Sequence, residues 1–370
     1  MPRLIFHIGF PKCGSTTIFR SFASNLKAMR QQRIFVFNDA FELARDQGEL
    51  RTPLWNIQKS RTSPTARKHM QDTLRSQIKQ APKDSTLILS SEVLGPASRK
   101  GMFTGFDDIA DVEVIGYFRP QVDWIPSGWK QWESREGIAL QDATARYVTE
   151  HKPNYRMMMD NWQASLPKAR TRLRLFARGA LVNQHPFDDF MTQIGFEYDT
   201  LETLTDAMNP SIDYALLHLM MRHHDLFFRS RHDSRLMHAF VKRLPNPYLK
   251  TNAPMLNTQM LGDITEAFRD DNIAMLSSFL PAQEVEATFN RFFVRPAVPD
   301  GIAYPDFTED HILSRAAGIL SETMGLRVEN VTTDSRPLAV ALYDALAKHW
   351  HSAPRTYTKR SVFLHNRSTN

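Results

Sequence analysis

The residues best placed to do chemistry lie in "IFHIGFPKCGSTTIFRSF", residues 5 to 22, where an apolar run gives way to a tight loop and then to helical spacing. The loop almost spells a phosphate-binding P-loop. Where that motif has lysine after its second glycine this chain has Ser15, and its lysine comes three places earlier, at Lys12. A loop that enters a helix presents unpaired N–H groups and the positive end of the helix dipole, which suits an anion. Gly14 lets the backbone curl close to a ligand, Ser15, Thr16 and Thr17 add hydroxyl donors, and Lys12 adds a full positive charge. The plainer reading is a strand–turn–helix connection with a chance Gly-Ser cap. Cys13 has two readings as well: a thiol activated by the helix end and Lys12, or simply a small loop residue.

Further along, Glu92 follows the apolar run "TLILSS" and so belongs at the carboxyl edge of a sheet, where open α/β folds bind ligands. Arg119 closes the run "VEVIGYF", and Ser127 follows eight residues later in what should be the next helix. Taken singly, these are a solvated carboxylate, an exposed arginine and an ordinary helix serine.

Taken in order, they resemble a known family. "PKCGSTT" is similar to the 5′-phosphosulfate loop of sulfotransferases that use 3′-phosphoadenosine 5′-phosphosulfate (PAPS), whose lysine stands as Lys12 does here. The resemblance implies a P-loop NTPase-like three-layer core and a donor site made of Lys12, Cys13, Gly14, Ser15, Thr16, Thr17, Arg119 and Ser127. An arginine and a serine at the spacing of Arg119 and Ser127 hold the donor's 3′-phosphate in that family. A fixed charge plus a hydroxyl donor suits a dianionic phosphomonoester, which ATP lacks. The resemblance also implies a catalytic base at Glu92, where the phenol and steroid branch has histidine and several carbohydrate-directed branches have glutamate. Such a base must come within hydrogen-bond reach of the acceptor hydroxyl. Lys12 would stabilise the leaving phosphate, with no metal required. The acceptor implied is a carbohydrate or other hydroxyl-bearing small molecule.

The resemblance covers roughly residues 3 to 230 and extends to "RLRLFARGALVNQHPFDDFMTQIGF" and to "NPSI" at 209 to 212. It has departures. Thr17 stands where many animal cytosolic members have a tryptophan that stacks on adenine, and no Arg-Lys-Gly clamp occurs near the C-terminus. Arg291, Arg295 or the pair Arg229/Arg231 could replace that clamp, and the sequence does not choose between them. Two other functions fit the same loop: a P-loop kinase with an altered lysine, or a non-catalytic nucleotide-binding protein.

The elements that must position these groups alternate. "RLIFHIG", "RIFVFN", "TLILSS", "VEVIGYF" and "TRLRLFA" read as buried strands separated by helices, which predicts a mostly parallel sheet in an α/β core. Ile18, Phe19, Phe22, Leu26 and Met29 mark one face of the first helix, and Ser63-Pro64 is a helix start. Beyond Pro210 the pattern turns helical in "SIDYALLHLMMRHHDLFF", "EVEATFNRFFV", "DHILSRAAGIL" and "PLAVALYDALAKHW". The expectation is a core over 1–230 and a helical C-terminal extension over 231–370.

Composition narrows the function classes. The 370 residues are 42% apolar with a formal charge of +6, and their basic residues are spread rather than patched, which argues against nucleic acid. No run of about 18 apolar residues predicts a membrane helix. The opening "MPRLIFHIG" is too short for a secretory signal and Cys13 is the single cysteine, so a cytoplasmic location is expected. His223, His224, His232 and His238 match no metal-binding spacing, and Met157-Met158-Met159 reads as packing at a helix edge. Trp124, Trp129 and Trp132 read as core, with an acceptor-lining role as the alternative.

Overall fold

Strands flanked on both sides are buried along nearly their whole length, and β1 (Arg3–Gly9), β3 (Thr86–Ser91) and β4 (Asp111–Phe118) have that character. A computed structural model of the chain describes residues 1–95, 101–196, 201–202, 212–237, 253–325 and 335–350. With β2 (Ile34–Val36) and β5 (Arg170–Leu175) these strands form one five-stranded, all-parallel sheet in the order β2-β3-β1-β4-β5. All five strands fall on the runs predicted for them. On the edge strand β5, Leu173 and Leu175 are buried whereas Arg170 and Arg172 are exposed, so the pattern alternates as a half-covered strand should.

The helix α1 (Ser15–Gln31) buries Ile18, Phe22, Leu26 and Met29, with Phe19 half-buried at the margin of the stripe. α2 (Leu54–Thr62) leads into α3 (Pro64–Gln80), whose start is the predicted one. The Ser63 hydroxyl accepts the Ala66 N–H at 3.2 Å, and Pro64 takes the first helical position. α4 (Gln121–Gln131), α5 (Leu140–Thr149), α6 (Tyr155–Ser165) and α7 (Pro186–Gln193) complete the connections around β4 and β5. The methionine run lies within α6, with Met158 and Met159 buried and Met157 exposed.

The chain packs as two compact units, neither of them continuous in sequence. The first comprises Met1–Gly128, Ala143–Asn209 and Thr258–Ala297, and the second Trp129–Asp142, Pro210–Asn257 and Val298–Asn370. The division therefore differs from a single cut near residue 230. The long helix Thr258–Ser277 returns to the first unit for reasons visible in its contacts. Asn272 and Gln121 exchange amide hydrogen bonds at 3.0 and 3.1 Å, and Asp271 meets His151 at 2.7 Å and Asn154 at 2.8 Å. In the second unit Asp213 caps α8 (Tyr214–Arg222) through the Ala215 N–H and pairs with Arg315 at 2.7 Å. Its described residues form helices and turns with no strand, in keeping with the helical pattern read beyond Pro210. No helix among the described residues is long and apolar enough to cross a membrane.

Candidate active site

Three adjacent strands deliver the predicted residues to one edge of the sheet. Ser91 pairs with Ile8 and Tyr117 pairs with Gly9, so Glu92 stands level with the end of β1 and Arg119 just beyond it. The loop of Lys12 to Ser15 leaves β1 between them. With neighbouring strands about 4.8 Å apart, Glu92 and Arg119 depart from the sheet roughly one strand spacing to either side of that loop. The chain runs from β1 out to β2 and β3 on one side, then crosses to β4 on the other. This reversal of direction is where open α/β sheets take their ligands.

The loop adopts the conformation that its glycine permits. Gly14 caps α1 with φ 78° and ψ 4°, and a Cβ there would lie 2.5 Å from the Phe176 ring. Lys12 is also left-handed, at φ 72°, which costs a residue with a side chain about 1 kcal/mol or more. Such strain collects where function requires it. The first bond of α1 runs from the Ile18 N–H to the Gly14 carbonyl at 3.0 Å, so the N–H groups of Ser15, Thr16 and Thr17 lie ahead of the helical ladder. Gly14 makes no side-chain cap bond, and no acidic residue occupies the first turn of α1.

Glu92 opens a single 3-10 turn, Glu92–Leu94, and is half-buried. Its Oε2 accepts a hydrogen bond from Ser15 Oγ at 3.0 Å. The residue standing in place of the P-loop lysine thus touches the predicted base. Gly95 makes the approach possible, since a Cβ there would come within 2.4 Å of the Gly9 carbonyl oxygen.

On the other flank, Arg119 is held at its backbone by Tyr155. The tyrosine hydroxyl accepts from the Arg119 N–H at 3.3 Å and donates to the Arg119 carbonyl. The Trp124 indole N–H donates to the Pro11 carbonyl at 2.8 Å and ties α4 to the loop. Residues three apart share a helix face, so Ser127 stands one turn along from that anchor, half-buried. Arg295 pairs with Asp123 at 2.5 Å, one turn before Ser127. Of the arginines left open by the sequence, Arg231 is paired with Glu133 at 3.2 Å in the second unit, and Arg291 lies over the Phe292 ring. Nothing in the sequence spacing indicated that Arg295 would reach α4.

Cys13 is fully buried, and burial pushes its thiol up to about 12. Arg119 and Lys12 oppose that shift and Glu92 adds to it. The sulfur is therefore an inert packing group, which sets aside the activated-thiol reading. Lys12, Arg119 and Glu92 thus all act electrostatically on this one thiol.

Other candidates find structural places. Trp124 and Trp129 are buried, the latter donating to the Ile138 carbonyl at 2.8 Å, as core residues do, and Trp132 is half-buried. His223 meets Ser335 Oγ at 2.8 Å. Among the described residues no group of three or more metal-ligating side chains converges. His238 and Asn209 to Ser211 lie outside the described residues. A cavity of about 390 Å³ runs along β5, lined by Leu173, Leu175, Phe279 and Phe292 among others, and none of the predicted site residues borders it.

Searches against protein families, curated proteins and solved structures each return no match.

Proposed function

We propose that this chain is a PAPS-dependent sulfotransferase with a P-loop NTPase-like core, acting in the cytoplasm on a hydroxyl of a carbohydrate or other small molecule. The observation that carries the reading is convergence. Lys12, Ser15, Glu92 and Arg119, the first and last more than a hundred residues apart in sequence, come together around one loop at the carboxyl ends of β1, β3 and β4.

Sulfuryl transfer, like phosphoryl transfer, moves charge onto a leaving oxygen as a nucleophile enters in line, so positioning and electrostatics do most of the work. The first-turn N–H groups of α1 hold the 5′-phosphate, and the Lys12 ammonium donates to the oxygen that bridges it to sulfur. Glu92 accepts the proton of the acceptor hydroxyl while the new O–S bond forms. The old S–O bond breaks with its electron pair going to the 5′-phosphate. Arg119 and Ser127 bind the 3′-phosphate, and their demand for it is what discriminates against ATP.

The test is transfer of labelled sulfate from PAPS to a panel of saccharide and small-alcohol acceptors. Lys12→Ala is expected to lower turnover about 10²–10³-fold, the usual cost of removing one preorganised donor to a developing negative charge. Near-normal turnover by the variant contradicts the assignment of Lys12, and no transfer by the parent chain to any acceptor contradicts the activity.

A further inference from the structure

Ser15 connects the two halves of the proposed chemistry, and its one hydroxyl proton cannot serve both. It is the first residue of α1, at the end where the donor phosphate would sit, and its Oγ already donates to Glu92 Oε2 at 3.0 Å. A hydroxyl carries a single proton to donate, while an ionised carboxylate and a phosphate only accept. Glu92 and the phosphate are therefore competitors, both for the Ser15 proton and for the positive end of the same helix.

We infer that Ser15 makes the reaction ordered: the donor's phosphate must take the Ser15 hydroxyl from Glu92 before Glu92 is released to act as base. This rests on the sulfotransferase reading above. The Glu92 carboxylate is tied to Ser15 at the end of α1 where the donor phosphate would bind. When phosphate arrives, the Ser15 proton turns to it, and Glu92 loses a hydrogen-bond donor and gains a negative neighbour. Both changes make its oxygen a better acceptor for the substrate's proton, at the moment when the sulfuryl group is in place. A sulfuryl acceptor that enters first meets a carboxylate still bonded to Ser15 and not yet beside the phosphate, and so a poorer proton acceptor. Ser15 is thus a positioning residue whose partner changes during the cycle, which gives a function to the hydroxyl that replaces the P-loop lysine.

A consequence runs against ordinary expectation for a residue in an active site. Because Glu92 competes with the ligand, neutralising it strengthens ligand binding while it removes the base. Adenosine 3′,5′-bisphosphate and, separately, inorganic pyrophosphate are titrated by calorimetry into the parent chain, Glu92→Gln, Ser15→Ala, Ser15→Thr and the double variant Ser15→Ala/Glu92→Gln. Glu92→Gln is expected to tighten binding roughly three- to tenfold. Ser15→Ala loosens binding, and Ser15→Thr, which keeps the hydroxyl, restores it. In the Ser15→Ala background the gain from Glu92→Gln shrinks, because the hydroxyl that coupled the two anions is gone. Unchanged or weaker binding by Glu92→Gln, or full additivity of the two substitutions, overturns the inference even if sulfate transfer is found. Should the parent chain bind pyrophosphate but not the bisphosphate, the sulfotransferase reading fails and the pyrophosphate series still decides the role of Ser15.

Discussion

Two glutamates flank the central strand of this sheet, and their surroundings differ in kind. Glu113, in β4 toward the amino end, is completely buried between two guanidinium groups: Arg3 at 2.5 Å and Arg172. Glu92, just past β3 at the carboxyl end, is half-buried and bonded to the neutral hydroxyl of Ser15. The first carboxylate has its charge cancelled twice over and is committed to the fold. The second meets only a neutral hydroxyl among its described hydrogen-bond partners, beside the loop that carries Lys12 and the leading N–H groups of α1. A carboxylate near a sheet edge is thus read by what it meets: two ionic partners commit Glu113 to the fold, and a hydroxyl that can turn away leaves Glu92 open to the proposed chemistry.

Exchanging the fates of these two residues by mutation gives the largest contrast. Glu92→Gln is expected to reduce sulfate transfer about 10²–10⁴-fold, the range for loss of a general base, with the melting temperature unchanged. Glu113→Gln should do the reverse. It removes the buried charge shared by two partly exposed arginines and costs about 1–3 kcal/mol in denaturant unfolding, with turnover per folded molecule preserved. If Glu92→Gln unfolds the protein, or Glu113→Gln abolishes transfer in folded protein, the distinction between the two ends is lost.

Gly14→Ala sharpens the same comparison from the loop's side. The left-handed backbone alone costs an alanine about 1–2 kcal/mol, and its Cβ must also displace the Phe176 ring. Stability and bisphosphate affinity are both expected to fall. Adding Phe176→Ala relieves the contact and separates the two contributions, with thermal melts and calorimetry as the readouts.

The smallest effect concerns a titratable group that belongs to the fold. His7 in β1 is buried, bonded to Ser90 Oγ at 2.7 Å, and its burial lowers the imidazole to about 3. Above pH 6.5 the ring is neutral in folded and unfolded chains alike, and its contribution is fully present. As pH falls from 6.5 toward 3 the unfolded chain takes up a proton that the folded chain refuses. Stability should decline by about 1.4 kcal/mol per pH unit from this group. Denaturant unfolding at pH 7, 6 and 5 measures that slope, and it should be shallower by this amount in His7→Asn.

Much of this arrangement was legible in the sequence. Five strands were readable because buried parallel strands are short apolar runs, and the start of α3 because Ser63-Pro64 is a local signal with a local cause. The loop was readable because lysine, glycine and three hydroxyls coincide where a strand feeds a helix. The helix Thr258–Ser277 was not. Its buried face carries Asn272, which exchanges hydrogen bonds with Gln121, 151 residues away, so the apolar period is interrupted where it should be clearest. The discontinuous units were hidden because the contacts that return Thr258–Ser277 to the sheet-bearing unit, polar at Asn272 and Asp271 and aromatic at Phe268, are long-range. The Ser15–Glu92 bond joins side chains 77 positions apart and has no local signature at all. Cys13 was ambiguous because sequence gives its neighbours but not its burial, and burial decides the thiol's reactivity.

The central claim is that the β1 loop and Arg119 grip opposite ends of one nucleoside bisphosphate. Calorimetric titration of adenosine 3′,5′-bisphosphate against ATP, in the parent chain and in Arg119→Ala, tests it most directly. The account predicts that the parent prefers the bisphosphate by at least about tenfold and that Arg119→Ala erases most of this preference, in line with the loss of a charge-assisted phosphate contact. Equal affinity for ATP in the parent, or a preference untouched by Arg119→Ala, contradicts it.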